Sequence, residues 1–190
     1  IVNPAFPDLD HDLRFLHGHY PAAYDVDRTA GTHPIRQELE NLADAGSLYG
    51  PIIYLKSPVV MRQLELRIGA EALRDGVREY LRRHAFSSAD WSDLLSILQS
   101  RTADDLLAWS HDWLDVAGRP GIGVALACDN GTIRTLRLPR LNEGAVWAQH
   151  LEVALGYGSR VEHVPVDWQG GDVEAAAGRV CPDYVLPNGR

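Results

Sequence analysis

The chain is predicted to be an α+β protein, a helical array followed by a β-rich segment, and three observations predict it. Apolar residues recur at intervals of three and four from Val60 to Leu114, Gly118-Arg119-Pro120 then breaks the pattern, and beyond the break apolar positions alternate with a period of two. Residues 1–34 are rich in Pro, Asp, His and Gly and show no sustained period until about Leu13 to Tyr20, so much of this segment is expected to lie across a surface. A short helix is expected from Ile35 to Ala45, with Pro34 suiting its first turn and Gly46 ending it.

Four amphipathic helices follow. Their apolar residues at helical spacing are Val60, Leu64 and Ile68, then Leu73, Val77, Tyr80 and Leu81, then Trp91, Leu94, Leu95 and Leu98, then Leu106, Leu107, Trp113 and Leu114. Gly69, Ser87-Ser88 and Thr102, the last ahead of Asp104 and Asp105, mark the expected boundaries, because hydroxyls and carboxylates satisfy free amides at a helix N-terminus. After Gly118, the residues Ile122, Val124, Leu126 and Cys128 form one face of a strand, and Asp129-Asn130-Gly131 is a hairpin turn. Trp147, Gln149, Leu151, Val153 and Leu155 continue the alternation. Val164, Val166 and Trp168 do so around Pro165, which points to an edge strand or a bulge there.

Composition narrows the function. At 190 residues and 45% hydrophobic content the chain can bury a core. A formal charge of −8 argues against a nucleic-acid partner, which needs clustered Lys and Arg. No run approaches the roughly eighteen apolar residues that span a bilayer, so no membrane segment is expected, and the first residues lack the layout of a signal peptide. The chain opens at Ile1 rather than a methionine, so it is expected to be part of a longer protein whose compartment stays open. Cys128 and Cys181 lack CxxC spacing and either bridge or remain thiols.

The most informative local feature is Tyr54-Leu55-Lys56, just ahead of the helical run from Val59 to Ile68, because Lys56 is the only lysine among 18 basic residues. His33-Pro34-Ile35 stands before it. Gly69-Ala70-Glu71-Ala72-Leu73-Arg74-Asp75-Gly76, Tyr80-Leu81 and His84-Ala85-Phe86 follow in order. Together these residues resemble the later part of a zinc metallopeptidase of the aminopeptidase N type, one of the gluzincin aminopeptidases. Asp105-Leu106-Leu107-Ala108-Trp109 with Trp113, Gly118-Arg119-Pro120 and Val185-Leu186-Pro187-Asn188 extend the resemblance.

The resemblance implies a fold: residues 1–118 as the helical C-terminal part of a thermolysin-like catalytic domain, and residues 119–190 as a following β-sandwich that need not be whole. It also implies a role for Tyr54, the tyrosine of the family's Tyr-x-Lys-Gly-Ala motif, whose hydroxyl would donate to the oxyanion formed when a zinc-activated water attacks the peptide carbonyl. Lys56 is the motif lysine. Ser57 and Pro58 stand where the motif has Gly and Ala. A proline at 58 cannot bond the carbonyl of Tyr54, so either Ser57 caps a new helix with Pro58 in its first turn, or a helix begun near Pro51 is kinked beside Tyr54.

A zinc peptidase of this class needs His-Glu-x-x-His, and none of the eight histidines fits that pattern. The parent protein is therefore expected to carry the zinc and to act on a peptide substrate, with the remainder of the catalytic domain as this chain's partner. The fragment alone is expected to hold no cofactor and to be inactive. His17-Gly18-His19, within the cluster His11, His17, His19 and His33, could chelate a metal, and His111 with Asp115 could share one, although solvated or capping roles are the ordinary fate of such residues. The competing reading, motivated by Ser57-Pro58, is a non-catalytic scaffold or peptide-binding module derived from the same family.

Overall fold

The computed structural model describes residues 6–143 and 145–189. The chain divides into two compact units, Ile1–Arg119 and Pro120–Arg190. The first is helical and the second is built from two three-stranded sheets, which makes the protein α+β.

In the helical unit, α1 spans His11–Asp27 and is capped by Asp10, whose carboxylate accepts from the Leu13 amide. This helix runs well beyond the stretch expected from Leu13 to Tyr20. Tyr20, Ala23, Tyr24 and Asp27 fall at i, i+3, i+4 and i+7 and turn inward, with Ala23 and Asp27 buried. A carboxylate and two phenols within the stripe hid its apolar period. The expectation of a largely superficial segment is corrected for α1; the first five residues of that segment lie outside the described residues.

The helix expected from Ile35 to Ala45 does not form. Residues 35–41 are irregular and Gly46 lies inside a 3₁₀ run, Leu42–Leu48. The cause is tertiary: the Arg36 amide donates to the Leu114 carbonyl at 2.9 Å and the Arg36 guanidinium lies 3.4 Å from Asp115, while Gln37 reaches back to the His33 ring at 2.9 Å. These commitments hold the backbone away from helical pairing.

Then come α2 (Ser57–Ile68), α3 (Ala70–Arg83), α4 (Trp91–Gln99) and α5 (Leu106–Ser110), as the apolar spacing predicts. A π-helical turn, Ile52–Lys56, leads into α2, and a second, His111–Asp115, continues α5. One N-cap departs from expectation and one fulfils it. Asp90 caps α4 in a reciprocal box with Asp93, and Asp105 caps α5 by accepting from the Ala108 amide, whereas Ser87 is spent on the turn after α3 and Thr102 Oγ1 accepts from Asp104. Carboxylates are favoured there because they add charge to the cap at the positive end of the helix. Ile52, Val59, Val60, Leu64, Leu95, Leu98, Leu106, Trp109 and Trp113 form the buried interior.

In the second unit, β1 (Ala125–Asp129) and β2 (Thr132–Leu138) form a hairpin whose turn residues Asn130 and Gly131 have φ of 50° and 75°. Both central residues of such a turn need positive φ, which is why Asn-Gly occupies it. β3 (Gln149–Tyr157) and β4 (Arg160–Trp168) form the second hairpin; β5 (Gly171–Asp172) pairs with β2, and β6 (Tyr184–Leu186) with β3. Ile133, Leu136 and Leu138 from one sheet and Leu151, Val153, Leu155, Val164 and Trp168 from the other meet in a single core, so the sheets form a small sandwich.

β4 is an edge strand, which suits Pro165. The face expected to carry Ile122, Val124, Leu126 and Cys128 is not a buried one: Ile122 packs on the core, but β1 is exposed along its length. It lies at the edge of its sheet, and a bulge between Ala127 and Cys128 breaks the alternation. Cys128 and Cys181 form a disulfide that ties this edge strand to the segment before β6.

Candidate functional site around Tyr54

The sequence left two alternatives for Pro58, and the structure takes a form of the second. The helix starts at Pro51 and passes through the Ile52–Lys56 π turn into α2 without a new cap. The Ser57 amide donates to the Ile52 carbonyl five residues back, and the Ser57 hydroxyl points to the same carbonyl at 3.4 Å. A π turn inserts one extra residue into the helical register. It is the local answer to a proline that has no amide for the carbonyl of Tyr54.

The turn sorts its side chains sharply. Ile52 and Lys56 are buried at 0% and 1% exposure, whereas Tyr54 between them is 56% exposed. The Tyr54 amide is held by the Gly50 carbonyl at 3.0 Å, and its ring meets Tyr49 edge-on with centroids 5.5 Å apart. The phenol thus stands at the surface of this chain, on a turn anchored from beneath.

The anchor is Lys56. Its ammonium lies 2.8 Å and 3.1 Å from the two carboxylate oxygens of Asp27 and donates to the Gly118 carbonyl at 2.6 Å. The Thr32 hydroxyl donates to the same carboxylate at 2.7 Å. Three segments therefore converge on one buried ion pair: the end of α1, the π turn, and the exit from the helical unit. Beside it the Arg119 guanidinium sits over the Tyr24 ring at 5.1 Å. Burial lifts the Tyr24 phenol well above the usual tyrosine value, with Tyr20 adding to the effect and Arg119 opposing it. The Tyr20 phenol is likewise raised, first by burial, with Arg62 and a hydrogen bond to Gln63 opposing.

Sequence reasoning singled out Tyr54 and Lys56 but missed Asp27. The available signal was the stripe of Tyr20, Ala23, Tyr24 and Asp27, which places one carboxylate on an inward helix face in a chain with one lysine to pair it.

The histidine candidates are not brought together. His17 and His19 lie two apart on α1, about 200° around the axis, and His19 is stacked on Phe15 at 4.4 Å, so the pair has no shared chelating geometry. His33 is engaged with Gln37 and the Pro34 carbonyl. His111 lies 3.6 Å from Asp115 and is exposed, and Asp115 also faces Arg36. Among the described residues no three His, Cys, Asp or Glu side chains converge to hold a metal ion, and no helix is long and apolar enough to cross a membrane. In the β unit, Arg140, Asn142, Glu143, Gln169, Gly170 and Gly171 line an open polar cleft of about 470 Å³.

The peptidase family M1 domain matches residues 1–113, more than half of the chain, and the chain belongs to that family. Aminopeptidase N of Streptomyces lividans is 40% identical over 96 residues, which is 50% of this chain and 11% of that protein. Aminopeptidase N of Lactobacillus helveticus is 30% identical over 124 residues, 65% of this chain and 15% of that protein. The chain therefore spans only a small part of the length of such relatives. The crystal structure of Legionella pneumophila aminopeptidase A in complex with aspartic acid superposes with a TM-score of 0.57 over 82% of this chain and 17% of that one, at 18% identity, a likeness of fold.

Proposed function

We propose that the chain is part of a zinc-dependent aminopeptidase that removes N-terminal residues from peptides, contributing the end of the catalytic domain's helices, residues 1–118, and a following β-sandwich, residues 119–190. Within it Tyr54 is the donor that stabilises the oxyanion. The observation that carries this reading is the exposure of Tyr54 on a turn anchored by the buried Lys56–Asp27 pair, in the Tyr-x-Lys setting of an M1 chain. A core tyrosine would bury its ring and satisfy its hydroxyl internally; this one presents the phenol outward.

Zinc is typical of the family, and the described residues of this chain form no group that fits it. The chain's own part is electrostatic. As water adds to the scissile carbonyl, negative charge develops on its oxygen, and a phenol O–H aimed at that position strengthens its hydrogen bond as the charge grows. Such a donor lowers the barrier because it is worth more in the transition state than in the bound substrate. The rest of the catalytic domain and a peptide substrate are the partners this role requires, and the chain alone is inactive in this reading.

The scaffold alternative rested on Ser57-Pro58, but the π turn accommodates that pair while leaving Tyr54 outward. Expressing the parent protein tests the choice. Stoichiometric zinc with hydrolysis of an aminoacyl anilide, lost on chelation and regained with zinc, supports the peptidase; a folded parent with neither zinc nor hydrolysis supports the scaffold.

A further inference from the structure

The buried ion pair has a position that stability alone does not explain. Removing two charges from water costs several kcal/mol per ion even after relaxation, and apolar pairs of similar volume often serve stability as well or better. Yet the chain's single lysine is committed here, at 1% exposure, with its ammonium directed to both oxygens of Asp27 and to the Gly118 carbonyl. In some proteins a buried pair of this kind serves to specify one conformation.

The conformation in question is the π turn. A π turn and an α turn differ by one residue of register, and one residue is about 100° of rotation about the helix axis. If Ile52–Lys56 relaxed to α geometry, the direction of Tyr54 would change by that order relative to α2. Tyr54 and Lys56 are two residues apart and project to opposite sides, one 56% exposed and the other buried. Fixing the ammonium inward therefore fixes the phenol outward. Asp27 fixes the ammonium, and Thr32 fixes Asp27 through a 2.7 Å hydrogen bond.

We propose that Lys56 and Asp27 are positioning residues for catalysis, holding the π turn in the register that aims the Tyr54 hydroxyl. This rests on the oxyanion role proposed for Tyr54, and a double-mutant cycle in the intact parent peptidase separates the two. The first arm is Tyr54→Phe. The second replaces the ion pair by apolar residues, Lys56→Met with Asp27→Leu, and the third combines all three substitutions. Zinc content and thermal midpoint are recorded for each variant.

The expected result is that the apolar swap lowers kcat by about 10- to 100-fold with KM little changed, the range in which small displacements of a catalytic group act. In the Tyr54→Phe background the same swap costs less than about twofold, because there is no hydroxyl left to misdirect. An equal loss in both backgrounds, or no loss in either, overturns the positioning role while leaving Tyr54 intact as donor. An unchanged kcat in Tyr54→Phe overturns the donor role, and the positioning role with it. If the apolar swap fails to fold, Thr32→Val, which removes the hydroxyl that holds Asp27 but leaves both charges paired, runs the same cycle with the same comparison between backgrounds.

Discussion

The Lys56 ammonium lies 2.8 Å from the Asp27 carboxylate with both side chains essentially sealed from solvent, although 29 residues separate them in the chain. Removing one partner leaves the other as an uncompensated buried charge, which typically costs about 3–5 kcal/mol. Asp27→Ala is therefore expected to lower the stability of the helical unit by about that amount in urea unfolding followed by tryptophan fluorescence. A loss below about 1 kcal/mol would show that water reaches the ammonium and that the pair is not sealed.

Gly76 and Leu98 define the packing of α3 on α4. Alanine is ordinarily the better helix residue by about 1 kcal/mol, but a Cβ at Gly76 would run into the side chain of Leu98, which is fully buried. Gly76→Ala is expected to destabilise by about 1–3 kcal/mol, as overpacked cores do. A raised unfolding midpoint would mean that Leu98 can swing aside.

The Cys128–Cys181 bridge closes a loop of 53 residues within the β unit. Loop entropy for that length corresponds to about 4 kcal/mol, and β1, an exposed edge strand, is otherwise held on one side only, by its pairing with β2. Thiol titration of the unreduced, unfolded protein is expected to find neither cysteine free, and Cys128→Ser is expected to lower stability by about 2–5 kcal/mol. Two titratable thiols at these positions, or an unchanged midpoint, would contradict the bridge or its importance.

Alkaline pH offers a separate probe of the interior beside the ion pair. Burial raises the Tyr24 and Tyr20 phenols above their ordinary value, so between the unfolded value of about 10 and the higher folded value the unfolded chain has released protons that the folded chain retains. Stability then falls as pH rises. It is complete below about pH 10 and declines through the window above. Stopped-flow absorbance at the tyrosinate band should show these phenols ionising only with unfolding; immediate ionisation on mixing would contradict their burial.

The parts legible in the sequence were those governed by short-range periodicity. The four helices from Val59 to Leu114 follow their apolar spacing, and Asn130-Gly131 makes the expected hairpin because the turn demands positive φ at both residues. Long-range chemistry decided what was missed. Residues 35–41 lost their helix to a hydrogen bond with Leu114 and an ion pair with Asp115, partners nearly eighty residues away. Likewise α1 concealed its inner face because that face carries Asp27, which is apolar in position but not in kind. At the candidate site Tyr54 and Lys56 could be picked out in advance, whereas the π turn could not, since Ser57-Pro58 allowed both a fresh start and a continued helix.

The proposed chemistry of this chain depends on the Tyr54 hydroxyl. The most direct measurement is kcat and KM for an aminoacyl anilide in the parent peptidase carrying Tyr54→Phe, with zinc content matched to the unmodified enzyme. Loss of one oxyanion donor predicts a fall in kcat of about 10²- to 10³-fold with KM nearly constant, because the bond is made chiefly in the transition state. A kcat within about twofold of the unmodified enzyme, with zinc retained, would contradict it.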